Sequence, residues 1–345
     1  MTLRSSLRLG CWNVACALYA LSANAQPAPA SAPPTTPVAA PAPLAPGPGP
    51  VLLSVTVSGG ASLGAYHSGY LYYLLSTLRQ SPEVAEVRAL TGASSGSIDA
   101  FMGALASCGA GMTANPTDSH FYRLWHGIDL SELYRPKEVT GVAMFSRHAF
   151  DPQTEALHRL WNAGLPSSCD VLLGVTATRV GTQEMLLGDG SVRLPKTEFK
   201  FALRIQGQGP GKLPVVTNYV DSQRRLPQAL LALGPDPRTH FDRISEILAA
   251  SSAFPIAFAP VELAYCMTDA YSPTLRDCDP ASAQRALFVD GGIMDLQPLR
   301  LASLLLRSGL ERKPSGELSV RSRPDRTLEG VPPRTLFVYV DSDSV

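Results

Sequence analysis

The sequence predicts an α/β domain built on a parallel sheet, with its working surface at the carboxyl ends of the strands. Two stretches carry that prediction. Residues 51–57 (VLLSVTV) are a continuous β-branched and apolar run, the pattern of a strand buried on both faces. They lead into a Gly-rich turn at residues 58–64 (SGGASLG) and then into residues 65–78, where Tyr66, Tyr70, Tyr73, Leu74 and Leu78 suit a helix. The same order returns at once: a short apolar strand at 87–90, a small Gly-punctuated turn at 91–96, and a helical pattern from Ile98 onward. Two consecutive strand–turn–helix units place both turns at one end of a parallel sheet.

The second turn has chemistry in it. Gly92, Ser94 and Gly96 spell G-x-S-x-G, in which a sharp turn lifts a serine off the end of a strand. A side chain held at such a strained angle leaves no room for Cβ atoms two residues before or after it, so glycines stand there. The following helix begins beside the serine, and its free N–H groups and dipole favour a developing oxyanion. Ser94 is therefore the candidate nucleophile. Gly59, Gly60 and Ala61 of the first turn are candidate oxyanion donors, with Gly64 closing that loop. Each turn, taken alone, also reads as an ordinary loop that needs glycines.

Further along, residues 120–125 and 152–161 read as helices, the second with Asp151 as N-cap and Pro152 at the first helical position. Residues 169–180 and 199–205 read as strands, 241–250 as a helix that stops at Ala250-Ser251-Ser252-Ala253-Phe254-Pro255, and 260–266 as another strand. A short strand at 286–289 ends on Asp290-Gly291-Gly292. An aspartate there, followed by two glycines, can lie against a neighbouring loop and reach Ser94 as a base, though Asp-Gly is also a common turn. Residues 335–340 read as a last strand. An α/β domain would usually cover it with another helix, so the chain is either a fragment or its sheet ends there.

The N-terminus predicts export. Arg4 and Arg8 precede an apolar run over residues 9–21 that ends in Ala23-Asn24-Ala25, the layout of a cleaved signal peptide over residues 1–25. Residues 26–50 are almost wholly Pro, Ala, Gly, Ser and Thr and read as a disordered linker, leaving residues 51–345 for the folded domain. Cys108, Cys169, Cys266 and Cys278 would then reside where disulfides form, and a Cys266–Cys278 bridge would close a short loop. A net charge of +0 gives no basic surface for nucleic acid. Cys-x-x-Cys and His-x-x-x-His spacings are absent, which argues against a metal site.

Residues 58–65 (SGGASLGA), Gly92-Ala93-Ser94-Ser95-Gly96, Ala250-Ser251-Ser252-Ala253-Phe254-Pro255 and Asp290-Gly291-Gly292 together resemble the patatin-like phospholipases, and the leader suits a bacterial, exported member. The resemblance covers about residues 51–298. It implies a three-layer α/β/α sandwich with a mostly parallel central sheet, and hydrolysis of lipid acyl esters by a Ser94–Asp290 dyad. It implies no cofactor, a lipid or other acyl-ester substrate and peripheral membrane contact. Gly64, Gly92, Gly96, Gly291 and Gly292 would support the motifs. The family usually has another glycine and a basic residue where Ala61 and Leu63 stand, and asparagines at Asp295 and Leu296.

Three rivals define what the fold must decide. A Ser–acid–His triad would need a histidine after Asp290, and none follows; His240 with Asp189 is the formal substitute, and His240 reads as a solvated loop residue. A short-chain dehydrogenase would need a further glycine at Ser97 or Ile98 and a Tyr-x-x-x-Lys pair, which this chain lacks. The first turn likewise has Ala61 where a dinucleotide fingerprint needs its second glycine. The third rival keeps the fold and binds lipid or a partner without turnover.

Overall fold

The computed structural model describes residues 50–60, 64–126, 128, 130–187, 192–219, 227–268, 278–307, 310–312, 318–320 and 335–341. The expected leader and, apart from Pro50, the linker lie outside these residues, as do Ala61, Leu63 and Asp189.

In chain order the strands are β1 (Val51–Val57), β2 (Ala85–Gly92), β3 (Asp170–Leu187), β4 (Val192–Gln206), β5 (Val215–Asn218), β6 (Ala229–Leu231), β7 (Val261–Met267), β8 (Gln284–Val289), β9 (Leu310–Arg312), β10 (Leu318–Val320) and β11 (Thr335–Val340). The helices of four residues or more are α1 (Gly64–Gln80), α2 (Ser95–Ser107), α3 (His120–Trp125), α4 (Leu130–Leu133), α5 (Asp151–Asn162), α6 (His240–Ser251), α7 (Gly292–Asp295) and α8 (Leu299–Arg307).

The main sheet runs β11-β1-β2-β3-β8-β7-β6, with β4 on β3 and β5 on β4. Its centre is the parallel set expected from the sequence: β11, β1, β2 and β3 all run the same way. Beyond β3 the pairings are antiparallel, through β4, β5, β8, β7 and β6. One detail of this register positions everything else. On β3, Val175 pairs with Gly92, the last residue of β2, and Thr178 pairs with Val289, the last residue of β8. Because β2 runs parallel and β8 antiparallel to β3, their carboxyl ends point at each other across a gap of about 10 Å. The turns leaving both strands must meet above that gap.

Helices cover both faces of the sheet. Consecutive residues of β2 enter different cores, as period-2 side-chain alternation requires: Leu90 belongs to the core that also holds Leu71 of α1, Phe101 of α2, Leu157 of α5 and Ile244 of α6. Ala89 packs with Leu172 and with Leu301 and Leu305 of α8. The helix expected after the first turn is present as α1; its Tyr66, Tyr70 and Tyr73 face solvent, while His67, Ser68, Leu71, Tyr72 and Leu75 are buried. One expectation is corrected here, at the start of α5. Asp151 is the first residue of α5 and Phe150 its cap, so Pro152 takes the second position.

Two disulfides staple the domain. Cys266–Cys278 is the expected short closure, and Cys108–Cys169 ties the residue after α2 to the residue before β3.

Candidate active site

Ser94 follows β2 by two residues and precedes α2 by one, with φ 53° and ψ −132°. A non-glycine residue in the left-handed half of the map costs roughly 1–3 kcal/mol and persists only where its surroundings enforce it. Those surroundings are close backbone. A Cβ on Gly92 would strike the Gly96 carbonyl, and one on Gly96 would strike the Ser58 carbonyl. The two glycines are thus required by proximity, and the turn is the strained elbow that the motif predicted.

Asp290 follows β8 by one residue and meets Ser94 over the gap in the sheet. Ser94 Oγ donates to Asp290 Oδ2 at 2.6 Å, and Gly292 N–H donates to Oδ1 at 2.7 Å. The carboxylate is buried, and burial raises its pKa above the ordinary value, opposed by the hydrogen bonds from Ser94 and Gly292. A more basic carboxylate in contact with a serine hydroxyl is what proton abstraction needs. Gly291 is held against the Thr176 backbone of β3, where a side chain would collide with the carbonyl. Gly292 lies close to both Leu296 and Asp290 Oδ1.

Ser251, at the end of α6, was quoted in the sequence motif but given no role. Its buried Oγ accepts the Ser94 N–H at 3.1 Å, and its carbonyl accepts the Gly291 N–H at 3.0 Å. Next to it, the Ala253 carbonyl accepts the Asp290 N–H at 2.9 Å. The end of α6 is therefore a bracket that holds both Ser94 and Asp290.

The first turn divides its roles differently from the expectation. Gly59 N–H is engaged by the Leu296 carbonyl at 3.1 Å, so Gly59 shapes the loop and is not a free donor. The Gly60 carbonyl accepts from Ser95 Oγ at 2.8 Å, which ties the loop to the start of α2. At that start the Ser94 carbonyl takes the Ser97 N–H at 3.0 Å, while helix geometry leaves the Ser95 and Gly96 N–H groups without intrahelical partners. Gly64 opens α1 with the Trp125 indole packed where its side chain would be.

A cavity of ≈ 280 Å³ opens from Ser94. Its wall is mostly apolar, with Ile98, Phe101, Trp125, Leu248 and Phe254 among its lining residues. Trp125 is oriented from behind: its N–H lies 2.9 Å from both Asp99 Oδ1 and Ser68 Oγ, and Ser68 Oγ donates to Asp99 Oδ1 at 2.7 Å. Asp99 is wholly buried, and that burial raises its pKa to about 7, against the hydrogen bonds from Ser68 and Trp125.

His240, the formal triad candidate, is a buried residue opening α6 and not the solvated loop histidine expected. Its Nδ1 accepts the Val216 N–H at 3.1 Å, and Nε2 lies 3.2 Å from the Gly234 carbonyl. With both ring nitrogens held by backbone, it cannot serve Ser94. Among the described residues no group of three His, Cys, Asp or Glu side chains is placed to hold a metal ion.

No protein in the curated set matches this chain significantly. The family model for Patatin, patatin-like phospholipase, matches residues 55–303. That span includes Ser94, Ser251 and Asp290, and on it the chain belongs to the patatin-like phospholipase family.

Proposed function

We propose that the protein hydrolyses acyl esters of lipids through Ser94 and Asp290, with phospholipid or lysophospholipid as substrate. The observation that carries this is the 2.6 Å bond between Ser94 Oγ and a buried Asp290 carboxylate. Ser94 Oγ attacks the acyl carbonyl while its proton passes to Asp290. The resulting oxyanion is met by N–H groups at the start of α2 and in the loop after β1. Asp290 returns the proton to the leaving alcohol, leaving an acyl ester on Ser94. Water then gives a proton to Asp290 and attacks the ester, Ser94 recovers the proton, and the fatty acid departs. The apolar cavity takes the acyl chain. Export is part of the same proposal: the basic and apolar leader suits it, and both cysteine pairs are disulfide-bonded, as oxidising compartments allow.

The test is release of p-nitrophenol from short and medium acyl esters by the parent, Ser94→Ala and Asp290→Asn, each also treated with a fluorophosphonate label. Turnover should vanish in both variants and labelling in Ser94→Ala. A folded parent that neither turns over nor labels would sink the hydrolase reading and leave a lipid- or partner-binding module.

A further inference from the structure

Beside the cavity mouth, two loops are knitted into one edge. Ala143 bridges Ile256 in parallel register, Met144 N–H donates to the Ile256 carbonyl at 2.7 Å, and Phe145 N–H donates to the Ala257 carbonyl at 2.8 Å. Behind the edge, the Phe258 ring packs edge-on with Phe145 and Phe150. Its outward side is apolar. Val142 is 59% exposed, Met144 47%, Phe254 56% and Ile256 69%. Single exposed apolar residues are ordinary, but four on two joined loops form a patch that wants an apolar partner.

The backbone adds an independent sign. Ile256 has φ 72°, a region that β-branched residues rarely adopt. A glycine would sit there unstrained, so the fold holds this large apolar side chain outward at a cost to its own stability.

The charge of the edge points to the partner. Arg147 lies over the Phe258 ring at 5.1 Å and donates from Nη2 to the Ala259 carbonyl at 2.9 Å. The charged groups near it are occupied with one another: Asp151 and Glu138 with His148, and Arg135 with Glu132 and Glu138. Among the described residues Arg147 has no carboxylate partner, so its guanidinium is available to an anion at the edge. Arg147 and Phe254 also line the cavity that opens from Ser94, which makes edge and cavity continuous.

We propose that this edge docks the protein on a phospholipid surface: Val142, Met144, Phe254 and Ile256 enter the acyl layer, and Arg147 meets a lipid phosphate. An acyl chain then passes over Phe254 into the cavity without crossing water. The purpose of docking rests on the hydrolase reading, but docking itself does not require turnover.

The experiment uses the full chain carrying Ser94→Ala, so that lipid is not consumed, sedimented with phosphatidylcholine vesicles and with phosphatidylcholine–phosphatidylglycerol vesicles. The protein binds both, and the anionic vesicles more tightly. Adding Ile256→Gly weakens binding about tenfold while the thermal midpoint rises, because an apolar contact is lost and a strained residue is relieved. Adding Arg147→Gln weakens binding to the anionic vesicles about fivefold and to the neutral ones less. Opposite movement of binding and stability separates docking from damage to the fold. Failure of the Ser94→Ala chain to bind either vesicle, or unchanged binding with Ile256→Gly, overturns the proposal. So does a dimer in solution that Ile256→Gly abolishes, since it assigns the edge to a second copy. Turnover of p-nitrophenyl esters by the parent is read separately, so either idea can fall while the other stands.

Discussion

The backbone N–H of Ser94 donates to the side chain of Ser251, 157 positions later in the chain, at 3.1 Å. The strained Ser94 backbone is thus steadied by a side chain from the end of α6. Ser251→Ala leaves a buried N–H without its acceptor, a loss of about 1–3 kcal/mol. We expect a lower thermal midpoint and kcat on a p-nitrophenyl ester reduced about tenfold, with KM moved less, because positioning matters most as the oxyanion forms. An unchanged kcat would show that the elbow holds itself.

Asp290 couples activity to pH in one direction and stability in the other. In the proposed mechanism Asp290 is the base and must be ionised, so its burial should move the acid limb of kcat/KM above the ordinary carboxylate range. The same raised pKa means that its stabilising contribution is complete below the unfolded value near 3.8 and is lost as pH rises through the folded one. A pH–rate profile of the parent should show the displaced limb. Asp290→Asn should abolish turnover and gain thermal stability relative to the parent at the pH where the parent is most active.

Gly96→Ala tests the backbone proximity of the two turns. The added methyl meets the carbonyl of Ser58, the first residue after β1, which has no rotamer to yield. A destabilisation of about 3 kcal/mol in urea unfolding, with loss of fluorophosphonate labelling, is the expected result.

Asp99 gives a second pH dependence, away from the chemistry. The unfolded chain loses this proton near 3.8, and the folded one keeps it to about 7. Stability from this group is therefore whole below 3.8 and declines through 7, by roughly 4 kcal/mol in all. Asp99→Asn retains an acceptor for Trp125 and Ser68 and should flatten the decline. Urea midpoints at about pH 5 and about pH 8 make the comparison.

Cys108–Cys169 closes a loop with a separation of 61 residues, worth ~4 kcal/mol by chain entropy. The double serine variant should melt markedly lower than the parent, and reductant should bring the parent toward it. Equal midpoints would mean that the start of β3 is held by packing alone.

What could be read in the sequence is what short-range chemistry encodes. Ser94, Gly92 and Gly96 stand within five residues, and Asp290 lies at a strand end beside two glycines, so both were visible as motifs. Ser251 was not, because a serine at a helix end has no local signature for an acceptor aimed at a distant N–H. The buried side of α1 was not legible either, for a related reason. Its inner positions include His67 and Ser68, which are buried because Asp99 lies opposite, and an apolar pattern cannot register a polar pair. The antiparallel half of the sheet escaped as well. β4 and β8 depend on pairings along β3, and nothing local tells a strand which way its neighbour runs.

The loop after β1 leans on β11. Ser58 N–H donates to the Val340 carbonyl at 3.0 Å, and Ser58 Oγ donates to Asp341 Oδ1 at 3.2 Å across 283 positions. During synthesis Ser94 and Asp290 emerge well before these props. A nascent chain can thus join Ser94 to Asp290 and still lack the support beneath the loop after β1. The loop after β1 therefore takes its final support only when residues 335–341 are made, the last described stretch of the chain.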